Sequence, residues 1–195
     1  MSDAQARQPA ISRRAVAKGA AWSVPAVVIA RAAPALAASS GTPSGVAGDG
    51  CKLSGSSCAG VFVKGYVFEV TLTNTTGEAI FLYNEPGFLI TITENNASID
   101  LFFQDAVDAT TGQIIRFPYQ LPVGASLTIL LNAAENGNSG NQAIAGSIFF
   151  PWGHTRTPPD GHNHAPIEIP FDYASTPPLN NPACGLTEPP ACGTF

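Results

Sequence analysis

The stretch 65–74, Gly-Tyr-Val-Phe-Glu-Val-Thr-Leu-Thr-Asn, alternates, with Val67 the one apolar residue on the otherwise polar face. Tyr66, Phe68, Val70 and Leu72 fall on one face; Glu69, Thr71 and Thr73 fall on the other. Successive side chains of a strand point to opposite sides. This pattern therefore predicts a strand with one face in a core and one in water, as antiparallel sheets have. Outward from it the signature returns. Thr-Thr-Gly-Glu (75–78) makes a turn before a short strand at 79–83, and Asn-Glu-Pro-Gly (84–87) turns again. Phe88, Ile90 and Ile92 line a third strand, and Ile99, Leu101 and Phe103 a fourth. Residues 114–119 read as a fifth, at an edge because Pro118 has no amide hydrogen to donate. Leu127, Ile129 and Leu131 point inward from a sixth, and 135–141 is a polar loop. A seventh covers 143–150, and Ile167, Ile169, Phe171 and Tyr173 form an eighth. Seven or eight short strands with closely spaced turns predict an all-β protein, a Greek-key antiparallel β-sandwich over 61–175.

A resemblance bears on the same region. The segment 66–74, followed by Leu-Pro-Val-Gly-Ala-Ser-Leu-Thr-Ile at 121–129, resembles the repeated Ig-like modules of exported bacterial surface proteins. Those modules pair a V-x-V-T-x-T-N strand with a later P-x-G-x-S-hydrophobic-T strand. The likeness spans about 61–175. It implies an Ig-like sandwich and a role in display, spacing or adhesion at the cell envelope. It implies no particular chemistry, because fold alone does not carry function.

The first 37 residues read differently. Ser12-Arg13-Arg14-Ala15-Val16-Ala17-Lys18 precedes a weakly apolar stretch, and Ala35-Leu36-Ala37 offers an A-x-A cleavage site between Ala37 and Ala38. This leader resembles a twin-arginine signal, an address read by the export machinery. A membrane anchor would need about 20 apolar residues. Only 12 separate Lys18 from Arg31, and Pro25 interrupts them. Cys51 follows Gly48-Asp49-Gly50, outside any lipoprotein box. The expected organisation is a cleaved signal (1–37), a flexible linker (38–60), the sandwich (61–175) and a Pro-rich end (176–195). The expected location is secreted or at the cell surface, with no transmembrane helix in the mature form.

Removing the leader changes the charge. It holds five of the nine basic residues and one of the fourteen acids, leaving Lys52, Lys64, Arg116 and Arg156 against thirteen acids, net −9. Phosphate backbones would repel such a chain, so nucleic acid is an unsuitable partner. An envelope or extracellular protein or a glycan suits it better. All four cysteines (Cys51, Cys58, Cys184, Cys192) lie beyond the leader, where oxidation is favoured. Four cysteines allow three pairings. Loop-closure entropy favours the short ones, Cys51–Cys58 and Cys184–Cys192.

All three histidines fall within 11 residues: His154, His162 and His164, with Asp160 among them. On an extended chain His162 and His164 point to the same side, as two imidazole ligands of one metal ion would. The plainer reading is a solvated Pro/Gly-rich connection, and a structural or binding role without catalysis is preferred. The alternative is a non-haem iron enzyme. Intradiol dioxygenases are β-sandwiches that hold ferric iron with tyrosines and a His-x-His pair, for which Tyr119, His162, His164 and nearby Arg156 would serve. A blue-copper site is excluded, since no His follows Cys184 and the sole Met is Met1. Trp152 is read as core or rim packing in preference to a sugar-stacking platform.

Overall fold

A computed structural model describes residues 41–53, 62, 64–135, 139–158, 161 and 163–186. The chain divides into units Met1–Ala38 and Ser39–Phe195, and every described residue lies in the second. The leader, with Arg13, Arg14 and the Ala37–Ala38 site, therefore lies outside the described residues, as do Cys58, Cys192, Asp160 and His162.

Among the described residues the fold is all β, with a single 3-10 turn at Pro182–Cys184. In chain order the strands are β1 (Ser44–Lys52), β2 (Tyr66–Thr73), β3 (Ile80–Leu82), β4 (Gly87–Ile92), β5 (Ser98–Ile99) and β6 (Leu101–Asp108). Then come β7 (Tyr119–Leu121), β8 (Ser126–Glu135), β9 (Ile144–Phe150), β10 (Trp152–Gly153) and β11 (Ile167–Tyr173). One sheet has the order β1-β2-β8-β6 and a second β11-β9-β4-β5, antiparallel throughout. Read along the chain, these are the A-B-E-D and G-F-C orders of the immunoglobulin sandwich, with β5 in the place of an added C′ strand. The chain crosses between the sheets at Asp100, the one residue separating β5 from β6.

The core sits where the alternation placed it. Tyr66, Phe68, Val70 and Leu72 of β2 are fully buried with Ile129 and Leu131 of β8 and Ile148 and Ile169 from the facing sheet. Each such side chain contributes about 1.5–3 kcal/mol through area removed from water. Phe68 joins the two layers. Its ring centroid lies 5.2 Å from Phe171, 6.1 Å from Tyr173 and 6.4 Å from Phe88. Antibody domains put a disulfide and a tryptophan in that role; here aromatic packing fills it.

Several expectations need correction. The linker expected at 38–60 contains β1, an edge strand whose register with β2 runs from Ser44↔Thr73 to Lys52↔Tyr66. Its pattern is muted because the packing positions are small. A Cβ on Gly50 would lie 2.5 Å from Cε2 of Tyr173, so only glycine lets the strand cross that ring. The fifth strand is not 114–119. Pro118, joined to Phe117 by a cis bond, ends an irregular stretch, and the pairing residues are Tyr119–Leu121. β8 runs on to Glu135, into the expected loop.

The disulfide pairing is also corrected. Cys51 bonds to Cys184, 133 residues away, not to Cys58. The entropy argument compared unfolded loops, whereas the folded chain holds these two Cα atoms 5.7 Å apart. After β11 the chain turns back along the end of β1: Lys52 N donates to Pro177 O and Leu179 N to Lys52 O, both at 3.0 Å. This strap covers the outer face of the first sheet. There Val67, Val107 and Leu130 join Leu53, Phe62, Leu179, Leu186 and the disulfide in a second, smaller core.

Candidate functional site

In this topology the connections β2–β4, β6–β8 and β9–β11 all leave the sandwich at one end. Each contributes a short strand, and the three form a third sheet of order β10-β3-β7. Trp152 pairs with Leu82 and Gly153 with Phe81; Ile80, Phe81 and Leu82 pair with Leu121, Gln120 and Tyr119.

Asn74 holds two of these connections together. It is fully buried. Its amide nitrogen donates to the carbonyls of Glu78 (2.8 Å) and Leu121 (2.9 Å), and its oxygen accepts from Thr76 N (3.0 Å) and Thr76 Oγ1 (2.7 Å). A buried amide satisfied on both sides fixes geometry, because rearranging it would strand polar groups away from water. Tyr83 ties in the third connection: its hydroxyl donates to Thr155 O at 2.7 Å and its backbone N to Pro151 O at 2.9 Å.

Two cavities open on this end, sharing Asn84 as a wall. The larger, about 380 Å³, is lined by Tyr83, Asn84, Pro118, Arg156, Thr157 and Pro158. The smaller, about 220 Å³, lies among Asn84, Phe103, Gln104, Asp105, Arg116 and Phe117. A β-bulge shapes it: the β6–β8 register shifts between Phe103 and Asp105, which turns Gln104 out of the ladder. Burial raises the pKa of Asp105 above its ordinary value, opposed by the charge of Arg116 and by a hydrogen bond from the Ala106 backbone.

His154 and His164 occupy the same end. The ring of His164 packs on Trp152 with centroids 4.2 Å apart, and His154 meets His164 edge-on at 4.9 Å. Nδ1 of His154 stands 3.7 Å from Oε2 of Glu78. Trp152 is 6% exposed and donates from Nε1 to Ala165 O at 2.9 Å, so it is a core residue and not a platform. Thus His154 and His164 are brought together, while His162 falls outside the described residues. Among the described residues no three His, Cys, Asp or Glu side chains converge as metal ligands. Tyr119 lies in β7, packed against the main core.

Asn74, Asn84 and Arg116 were not singled out from sequence. Thr-Asn-Thr-Thr-Gly at 73–77 carried a signal for the first, since Asn before a Gly-containing turn commonly bonds its own backbone two residues on. No protein-family model, curated protein or solved structure matches this chain.

Proposed function

We propose that this chain is an exported binding protein of the cell envelope or its surroundings, an Ig-like sandwich that engages its partner through the β3/β7/β10 end. The observation that carries this reading is the convergence of three connections into one pinned sheet with two adjoining cavities. Binding residues concentrate on loops held by a rigid scaffold, and concave sites with a few directed polar groups are the usual ligand sites. The opposite end is occupied by structure of its own. Tyr66 Oη donates to Gly140 O at 3.2 Å, Thr176 Oγ1 reaches Gly140 O and Gln142 O, and the strap closes over Cys51–Cys184.

Export by the twin-arginine route is supported by Arg13-Arg14 and the Ala35-Leu36-Ala37 site, and a disulfide suits an oxidising compartment. The metal-enzyme alternative has less support, because His164 spends a ring face on Trp152 and His154 leans toward Glu78. The test is retention of the purified chain on an envelope fraction from the producing cell. Asn84→Trp, an exposed position that walls both cavities, should lower retention at least tenfold. Retention unchanged by Asn84→Trp would place the binding surface elsewhere.

A further inference from the structure

Two Asn-x-Ser/Thr triplets occur in this chain, Asn74-Thr75-Thr76 and Asn96-Ala97-Ser98. Such a triplet, with any residue but Pro in the middle, is the acceptor signal for an N-linked glycan. Short signals recur by chance, so accessibility decides which of the two can serve. Asn74 cannot. It is fully buried, and its amide nitrogen donates to the carbonyls of Glu78 (2.8 Å), Leu121 (2.9 Å) and Pro122 (3.1 Å). The Thr76 hydroxyl is engaged as well, 2.7 Å from Asn74 Oδ1. Withdrawing that amide would leave three carbonyls unsatisfied inside the protein.

Asn96 has the opposite setting. It lies in the turn between β4 and β5, where the six residues 93–98 are all exposed. The turn is closed by Ile92 N to Ala97 O, Asn96 N to Ile92 O and Ala97 N to Asn95 Oδ1, each 2.9 Å. It is thus built on the main chain of Asn96 and the side chain of Asn95. Asn96 takes φ 55°, a left-handed conformation in which Asn and Asp are favoured over other non-glycine residues. Ser98 opens β5, a two-residue strand at the sheet edge, so lifting the triplet toward an enzyme disturbs little pairing. Glu94, exposed two residues ahead, supplies the acidic residue that the bacterial form of this signal carries. The turn also stands clear of the two cavities. Asn84 precedes the start of β4 at Gly87, and the turn follows its end at Ile92, roughly 17 Å along the strand.

We propose that Asn96 is the acceptor of an N-linked glycan. The donor is an oligosaccharide carried on a polyprenyl diphosphate. Nδ2 of Asn96 attacks C1 of the first sugar, the N–C1 bond forms as the C1–O bond breaks, the lipid diphosphate leaves, and the amide gives up one proton. The proposal does not depend on the β3/β7/β10 end or on the route of export, because the transfer is tested on purified protein. The folded full-length chain is incubated with a purified bacterial oligosaccharyltransferase and its lipid-linked oligosaccharide. One glycan should be added per chain, and peptide mass mapping should place it on Asn96 with Asn74 unmodified. Asn96→Asp keeps a residue suited to the positive φ while removing the nucleophile, and Ser98→Ala removes the hydroxyl of the signal. Each should lower transfer at least tenfold with the melting temperature unchanged, and Ser98→Thr should restore it. No transfer to the parent, transfer to Asn74 of the folded chain, or Asn96→Asp modified as the parent is would each overturn the proposal.

Discussion

Cys51 and Cys184 are 133 residues apart in sequence and 5.7 Å apart between Cα atoms. Their bond ties the end of the first strand to the strap that follows the last, so one crosslink closes almost the whole described fold. It also seals the second core, whose Val67 and Leu130 would otherwise be an apolar patch on the outer sheet face.

Peptide mapping of the unreduced protein should recover a Cys51–Cys184 crosslink. Replacing both by Ala should cost about 2–5 kcal/mol in denaturant unfolding, as loss of a native disulfide does. A recovered Cys51–Cys58 peptide would refute the pairing.

Tyr173 should be replaceable. Its hydroxyl is buried without a hydrogen-bond partner among the described residues. Burial first, then the negative charges of Asp49 and Glu69, raise its pKa well above the ordinary tyrosine value. Tyr173→Phe should therefore leave stability at pH 7 unchanged or raise it by up to about 1 kcal/mol. The sign at high pH follows from the raised value. The folded state favours the protonated phenol, so its contribution is complete below the unfolded pKa of about 10 and is lost as pH rises through the folded value. Unfolding curves from pH 9 upward should fall less steeply for Tyr173→Phe than for the parent. Parallel curves would count against the burial.

Gly146 should not be replaceable. A Cβ there would be driven into the carbonyl of Leu89 on the paired strand β4, which is backbone and cannot swing aside. Gly146→Ala should cost about 1–3 kcal/mol or more by thermal melting. A neutral result would mean that β4 and β9 do not pair in this register.

His164→Ala should cost about 0.5–1.5 kcal/mol through the lost stack on Trp152. Elemental analysis of the purified protein should find no stoichiometric iron, copper or zinc. Bound metal lost in His164→Ala and in His162→Ala would bring the metal-enzyme alternative forward.

If the proposed twin-arginine export holds, Arg13→Lys combined with Arg14→Lys should keep the chain inside the cell, because the receptor for that signal reads the pair. Normal appearance of the double variant outside the membrane, followed by immunoblot, would end the twin-arginine assignment.

Much of the sandwich was legible from residue order alone, because alternation is a local property. Tyr66 to Leu72, Leu127 to Leu131 and Ile167 to Phe171 declare their buried faces through period two, whatever they pack against. The acidic balance and the twin-arginine resemblance are likewise read along the chain. β1 escaped because a strand built on Gly45, Gly48 and Gly50 shows little alternation, and its burial is supplied by the side chains it crosses. The disulfide partner, the strap and the small third sheet were out of reach for another reason. Each joins residues far apart in sequence, and which distant segments meet is decided by how the layers close. That closure also gathered Asn84, Arg116 and Arg156, from three separate connections, around adjoining cavities. Nothing in their local sequence could bring them together, since the proximity exists only after both sheets have packed.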